Sequence, residues 1–226
     1  VIRAIYLDII DTVGLNEINR SLSAVAKRLG DDFLKVTKEL VRSEEFVLAL
    51  SMLAGQHSEF GQLSLPSGEQ MKAGLEPTLK RYFLGTATRA DLKDLELSRA
   101  IESGSDMIAI LSTILNLLLH STEDTMPAYS EVFLWFDEME EIVSLPGKEQ
   151  VTLTSLIRDL TDFVPANLTV FMNFTPRPGG RIEEVSSYIS PAVWSRVREH
   201  IVFEQLGRES VKRYIVDLLN APIYRP

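Results

Sequence analysis

Two short apolar runs that each end in a polar residue constrain the fold most strongly. Residues 131–136 read EVFLWF and lead into Asp137 and Glu138, and residues 168–173 read LTVFMN and end in Asn173. A helical period over 150–163 lies between them. The order strand, helix, strand predicts neighbouring parallel strands, and ligands of such sheets collect at the carboxyl ends of the strands.

The rest of the chain continues this alternation. A strand is predicted over 1–8, a loop over 55–70, a short element from Thr88 with Asp91 three positions later, and a short strand over 201–203. Helices are predicted over 16–29, 31–53, 70–84, 106–120, from Pro191 onward, and over 208–220. Together these elements predict an α/β fold whose parallel sheet is covered on both faces, with a helical insertion.

Composition removes several classes of function. The formal net charge of -9 argues against broad adhesion to DNA or anionic lipid by these residues. The absence of cysteine excludes disulfides, thiolate zinc sites and cysteine nucleophiles. His57, His120 and His200 lack the spacing of metal ligands, and no run of 18 uncharged apolar residues suggests a membrane span. The sequence therefore predicts a soluble, cytoplasmic protein without membrane contact.

The acidic pair after the first run carries the main chemical prediction. In enzymes that hydrolyse nucleotides, an acid at such a strand end helps to hold Mg²⁺, and a neighbouring carboxylate can polarise the attacking water. Asp137 suits the first role and Glu138 the second. The alternative is a solvated acidic helix start, which Glu140 and Glu141 favour because carboxylates are stabilised at a helix N-terminus.

Two later residues extend this prediction. The amide of Asn173 can orient water, although an asparagine before Thr175 and Pro176 is also typical of a turn. Arg196, predicted on a helix that leads into a short strand, can neutralise charge on a transferring phosphoryl group. The alternative for Arg196 and Arg198 is a surface arginine in an ion pair.

These features resemble AAA+ ATPases over residues 131–220. FLWFDE resembles the Walker B element, Asn173 resembles sensor 1, and Ser195 with Arg196 resembles the serine-arginine element of clamp-loader-like members. Residues 82–119 resemble the ATP-binding proteins of BREX phage-defence systems and their origin-recognition-like relatives. The resemblance implies one domain over 1–226 with a parallel sheet of the P-loop NTPase type. Residues 54–128 would form the loop and helical insertion, and residues 129–226 the half with Walker B, sensor and arginine finger.

The sequence departs from that family at the phosphate-binding loop. No G-x-x-x-x-G-K-[ST] occurs, and the nearest candidate, PGKE at 146–149, lacks the first glycine and the hydroxyl. Without the loop, the β- and γ-phosphates lack their amide cradle and lysine. Residues 1–9 resemble the strand that follows the loop-bearing strand in the family, so the missing part is expected upstream of Val1.

The resemblance implies an ATPase module that couples ATP binding and hydrolysis to assembly or remodelling of a protein or nucleic-acid complex. ATP and Mg²⁺ are the expected cofactors, with Asp137 holding Mg²⁺ through water. Arg196 is expected to act on a neighbouring subunit, in a homo-oligomer or with a related ATPase, and nucleic acid is expected to bind through another domain. The alternative is a non-enzymatic, degenerate P-loop scaffold or regulatory interaction domain.

Overall fold

A computed structural model describes residues 1–41, 43–55, 68–121, 126–164, 166–175, 186–187, 189–202 and 207–220, which form two units, Val1–Trp194 and Ser195–Pro226. The second unit contains α10 (Arg208–Asn220). The first contains α1 (Ile2–Val13), α2 (Leu15–Leu29), α3 (Asp32–Leu40), α4 (Glu44–Leu53), α5 (Gly68–Phe83), α6 (Arg89–Asp94), α7 (Gly104–Leu119), β1 (Val132–Phe136), a 3₁₀ helix (Met139–Ser144), α8 (Gly147–Phe163), β2 (Leu168–Met172) and α9 (Pro191–Trp194).

The core of the first unit is built around α7. Eleven of its sixteen residues are buried, and it contacts α1, α2, α3 and α8. A helix that is apolar around its whole circumference is stable only when it is surrounded in this way. Its start is fixed by a capping box, in which Ser103 and Asp106 each accept from the backbone N–H of the other. Asn116 joins its last turns to α8 by donating to the carbonyl of Phe163 at 2.6 Å.

The predicted α/β fold, with a parallel sheet of the P-loop NTPase type, is wrong. The described residues are mostly helical and contain one two-stranded parallel sheet, in which β1 pairs with β2 from Val132–Leu168 to Phe136–Met172. One face of this sheet is open, because Phe133 and Trp135 are 58% and 67% exposed. The helices pack mainly on one another, so the core is helical and is not a sheet covered on both faces.

The strand predicted over residues 1–8 is also wrong, because these residues belong to α1. The β-branched isoleucines favour a strand, but the apolar positions of IRAIYLDIIDTV recur at helical spacing from Ile2 to Val13. Tyr6 and Ile10, four positions apart, are both 1% exposed. The hydroxyl of Tyr6 donates to the carbonyl of Phe83 at 2.8 Å. Burial of one helical face against the core therefore outweighs the β-propensity of single residues.

Several predicted elements are confirmed. The helices over 16–29 and 208–220 match α2 and α10, the helix over 106–120 matches α7, and the strands over 131–136 and 168–173 match β1 and β2. The helical segment 31–53 is divided between α3 and α4. Thr88 and Asp91 form the capping box of α6. Most of the predicted loop over 55–70 lies outside the described residues.

The segment that enters β1 is fastened to the helical core. The backbone N–H groups of Ala128 and Tyr129 both donate to the carbonyl of Leu118 in α7. The hydroxyl of Tyr129 donates to a carboxylate oxygen of Glu17 in α2 at 2.8 Å, and Arg28 of the same helix donates to the His120 carbonyl at 3.3 Å. The start of β1 is thus tied to two helices of the core.

The segment around Arg196 differs from its prediction. The helix that begins at Pro191 ends at Trp194, so Ser195 and Arg196 occupy a turn and Arg198 lies in irregular chain. Ile201 and Val202 are not in a strand, and Phe203 lies outside the described residues. Among the helices that the structure describes, none is long and apolar enough to cross a membrane.

Candidate functional site

The carboxyl ends of β1 and β2 lie side by side. The last register pair is Phe136 with Met172, so Asp137 and Asn173 each stand one position beyond the ladder. The backbone N–H of Asn173 donates to the carbonyl of Phe136 at 2.8 Å, and its own carbonyl accepts from the N–H of Met139 at 2.9 Å. Parallel pairing and these two bonds fix the backbone of Asn173 beside the acidic pair.

The side chains of Asp137 and Asn173 contact each other directly. The amide nitrogen Nδ2 of Asn173 donates to Oδ1 of Asp137 at 2.7 Å, and the backbone N–H of Glu138 donates to the same oxygen at 2.9 Å. An ionised carboxylate only accepts hydrogen bonds, so the amide presents its NH₂ group to Asp137 and keeps its oxygen as an acceptor. Within the described part of the chain, Oδ2 of Asp137 accepts no hydrogen bond, so it is available to a cation or water.

Glu138 has an unusual backbone conformation. Its φ is 53°, in the left-handed region that few residues other than glycine occupy. This conformation turns the chain sharply from β1 into the 3₁₀ helix, for which Glu138 is the N-terminal flanking residue. Backbone strain of this kind concentrates at functional sites, where the surrounding structure maintains it. The side chain of Glu138 is exposed, and its backbone N–H contacts Asp137.

The 3₁₀ helix anchors the site to the core and adds a second contact to β2. Met139 and Ile142 are buried, at 4% and 2% exposed. Between them, Glu140 accepts a hydrogen bond from the backbone N–H of Thr175 at 3.0 Å, two residues beyond Asn173. The sequence interpretation assigned Glu140 to an acidic helix start and missed this contact. Its only signal was an acid three positions after Asp137.

The site offers few protein ligands to Mg²⁺. In the described ranges, no group of three or more acidic or histidine side chains could enclose a metal ion. Mg²⁺ does not need such a cage, because it keeps several waters and commonly binds one or two carboxylates together with substrate phosphates. A single exposed carboxylate with one open oxygen, as at Asp137, fits that mode of binding.

The predicted site residues fall into two groups. Asp137, Glu138 and Asn173 lie together at the end of the sheet in the first unit. Arg196 belongs to the second unit, where it is exposed in a turn. Its predicted role toward a neighbouring subunit stays a prediction.

An exposed aromatic face was not predicted. The ring of Phe171 stacks with those of Trp135 and Phe133, at centroid distances of 5.1 Å and 6.0 Å. This aromatic face lies on the strands that lead to Asp137 and Asn173. The apolar run predicts a buried strand, because a sequence pattern alone does not show which face of a strand is covered. A separate cavity of about 280 Å³ between α2, α4 and α5 includes none of the predicted site residues.

Comparisons with known proteins found no match: no family model, no curated protein and no solved structure matches the chain. The AAA+ resemblance therefore rests on the motifs at Asp137, Glu138, Asn173 and Arg196 and stays a prediction.

Proposed function

We propose that this chain carries the carboxylate and amide part of an ATP-hydrolysing site and couples hydrolysis to assembly or remodelling of a larger complex. The observation that supports it best is the 2.7 Å hydrogen bond between Asn173 and Asp137, with Glu138 next to it. The two polar motifs are 36 positions apart in sequence, yet they meet at the carboxyl ends of parallel strands, where nucleotide sites form.

Each residue has a distinct role in this proposal. Asp137 would hold Mg²⁺ through water with its open oxygen, while the Asn173 amide and the Glu138 N–H fix its other oxygen. Glu138 acts on the attacking water as general base or orienting group, and the carbonyl oxygen of the Asn173 amide accepts from that water. Bound Mg²⁺ neutralises charge on the phosphates. The proposal requires a phosphate-binding loop from other polypeptide, because the sequence of these 226 residues contains none.

The assembly part of the proposal concerns Arg196. An arginine exposed on a turn can reach a nucleotide held by an adjacent subunit and neutralise charge that develops on the phosphoryl group. This function requires a homo-oligomer or a related ATPase subunit. Any nucleic acid is contacted by another domain, because these residues carry a formal charge of -9.

Steady-state ATP hydrolysis by the full-length protein tests the proposal. Glu138→Gln keeps the size of the side chain but removes its basicity, so kcat should fall by about 10²-fold or more while ATP binding is retained. Glu131→Gln is the matched control, because Glu131 is an exposed carboxylate before the opposite end of β1. Equal activity of the Glu138→Gln protein and the wild type refutes the assignment of Glu138.

The alternative function, a non-enzymatic interaction domain, is favoured by a different observation. In the aromatic face, Phe133 and Trp135 are exposed and Phe171 is half-buried, and exposed apolar patches commonly mark protein contacts. A scaffold also needs no phosphate-binding loop. The same assay separates the two functions, because a full-length wild-type protein that does not hydrolyse ATP supports the scaffold.

A further inference from the structure

We propose that Glu140 is a positioning residue for the Asn173 amide: it holds the chain that leaves β2, so that the amide stays on Asp137. The inference rests on the proposed function, because it assigns to Glu140 a part in the same site. It arises from a contact between the 3₁₀ helix and the segment after β2, and the sequence patterns did not predict it.

Glu140 holds the chain two residues after Asn173. The backbone of Asn173 is bonded on both sides, to Phe136 and to Met139. Two residues later, Oε2 of Glu140 accepts from the N–H of Thr175 at 3.0 Å. Asn173 thus lies in a short segment in which its own N–H, its own carbonyl and the N–H of Thr175 are all hydrogen-bonded.

The support under Glu140 makes it suitable for this role. Its neighbours Met139 and Ile142 are buried, so the 3₁₀ helix is fixed to the core and its carboxylate does not drift with the segment that it holds. A hydrogen bond to a charged acceptor is stronger than one between neutral groups. Rigid support of this kind keeps a reacting group in its productive geometry, and a displacement of about 1 Å can cost about 100-fold in rate.

The contact also separates positioning from direct catalysis. Oε2 of Glu140 is occupied by a backbone donor that belongs to the β2 side of the site. A glutamine at this position has a carbonyl oxygen at the same distance from the backbone and can accept the same bond. A group that holds the chain should therefore tolerate Glu140→Gln, whereas a metal ligand or general base should not.

The test compares Glu140→Ala with Glu140→Gln in two assays. Glu141→Ala is the matched control, because Glu141 is the next residue of the same 3₁₀ helix and its carboxylate contacts only the Ser144 hydroxyl, at 3.4 Å, within the described residues. In NMR spectra of the 226-residue chain, Glu140→Ala should move the backbone amide signal of Thr175 and the side-chain NH₂ signals of Asn173. Glu140→Gln and Glu141→Ala should leave the Asn173 signals in place.

In ATP hydrolysis by the full-length protein, Glu140→Ala should lower kcat about 10-fold, the effect of one lost charge-assisted hydrogen bond on an oriented group. KM and the Mg²⁺ concentration for half-maximal rate should change little, and Glu140→Gln should restore most of kcat. An equal defect in Glu140→Gln, or a large shift in the Mg²⁺ dependence, overturns the positioning role. So does an Asn173 signal that Glu140→Ala leaves unmoved.

The NMR assay needs no nucleotide, so the two proposals fail separately. Absence of ATP hydrolysis by the wild-type protein refutes the proposed function. In that case, the NMR signals of Thr175 and Asn173 alone decide whether Glu140 holds the segment that contains Asn173.

Discussion

Replacement of Asn173 by aspartate tests the central contact of the site without a ligand. The two side chains have nearly the same shape, but the variant puts a carboxylate where an NH₂ group now donates to Asp137 at 2.7 Å. In the variant, two negatively charged carboxylates face each other, and neither can donate a hydrogen bond. The variant should therefore be less stable than the wild type at neutral pH.

The magnitude follows from the distance and the exposure of the two groups. Asp137 and Asn173 are both exposed, so the dielectric constant of water applies. At a separation close to the present bond, the repulsion is then about 1.5 kcal/mol. The lost hydrogen bond adds about 1 kcal/mol. The free energy of unfolding should fall by about 2 to 3 kcal/mol at neutral pH. In acid, protonation removes the repulsion and restores a donor, so the deficit should shrink as the pH falls.

Urea unfolding followed by tryptophan fluorescence measures this change, because Trp135 lies on β1 beside the site. Asn173→Ala is the control: it removes the donor but adds no charge, so its deficit should be smaller and nearly independent of pH. The exchanged pair, Asp137→Asn with Asn173→Asp, again places an amide against a carboxylate and should recover much of the stability. Equal stability of Asn173→Asp and Asn173→Ala at neutral pH, or no recovery in the exchanged pair, would refute the contact.

Two further predictions concern other parts of the chain. Arg196→Ala should leave ATP binding by isolated subunits intact and should lower assembly-dependent hydrolysis about 10³-fold or more. Mixing this variant with Glu138→Gln subunits should restore part of the activity. Arg198→Ala is the control, and unchanged turnover by Arg196→Ala oligomers rejects the role of Arg196. Hydrogen bonding from Arg81 holds the pKa of Asp91 well below its usual range. Because the pKa of Asp91 is lower in the folded protein than in the unfolded chain, ionised Asp91 stabilises the fold at pH values above the unfolded pKa of about 4. This contribution is lost as the pH falls from about 4 towards the folded pKa. The Asp91→Asn variant should therefore lose most stability near neutral pH and little in acid. If its loss of unfolding free energy in urea is the same at every pH, the ionised Asp91 is not the cause.

The strands and the helix around the site could be predicted from sequence, because each is set by a short repeat of apolar residues. The apolar run before Asp137, the run before Asn173 and the helical period between them each describe a single element, and parallel pairing follows from their order. The direct bond from Asn173 to Asp137 needs the register of the two strands, which sequence spacing does not give. The bond from Thr175 to Glu140 depends on a short 3₁₀ helix that has no periodic signal in the sequence.

The global fold could not be predicted because the same apolar residues suit different neighbours. In α1, Ile9 and Ile10 favour a strand locally, but the helical face that contains Tyr6 is the one that packs on the core. The number of strands and the covered faces depend on long-range contacts. The predicted parallel sheet of the P-loop NTPase type came from the family resemblance, and the described residues contain only a two-stranded sheet.

The two-stranded sheet has a consequence for the behaviour of the protein in concentrated solution. In the described part of the chain, β1 and β2 pair only with each other, so each has an outer edge without a partner strand there. Exposed edges of uncharged, β-prone segments favour intermolecular pairing, and flanking charges oppose it. Glu131 precedes β1, and Asp137 and Glu138 follow it. These carboxylates should therefore also oppose edge-to-edge pairing of β1, and we expect neutral substitutions at the site to reduce colloidal stability together with any effect on chemistry.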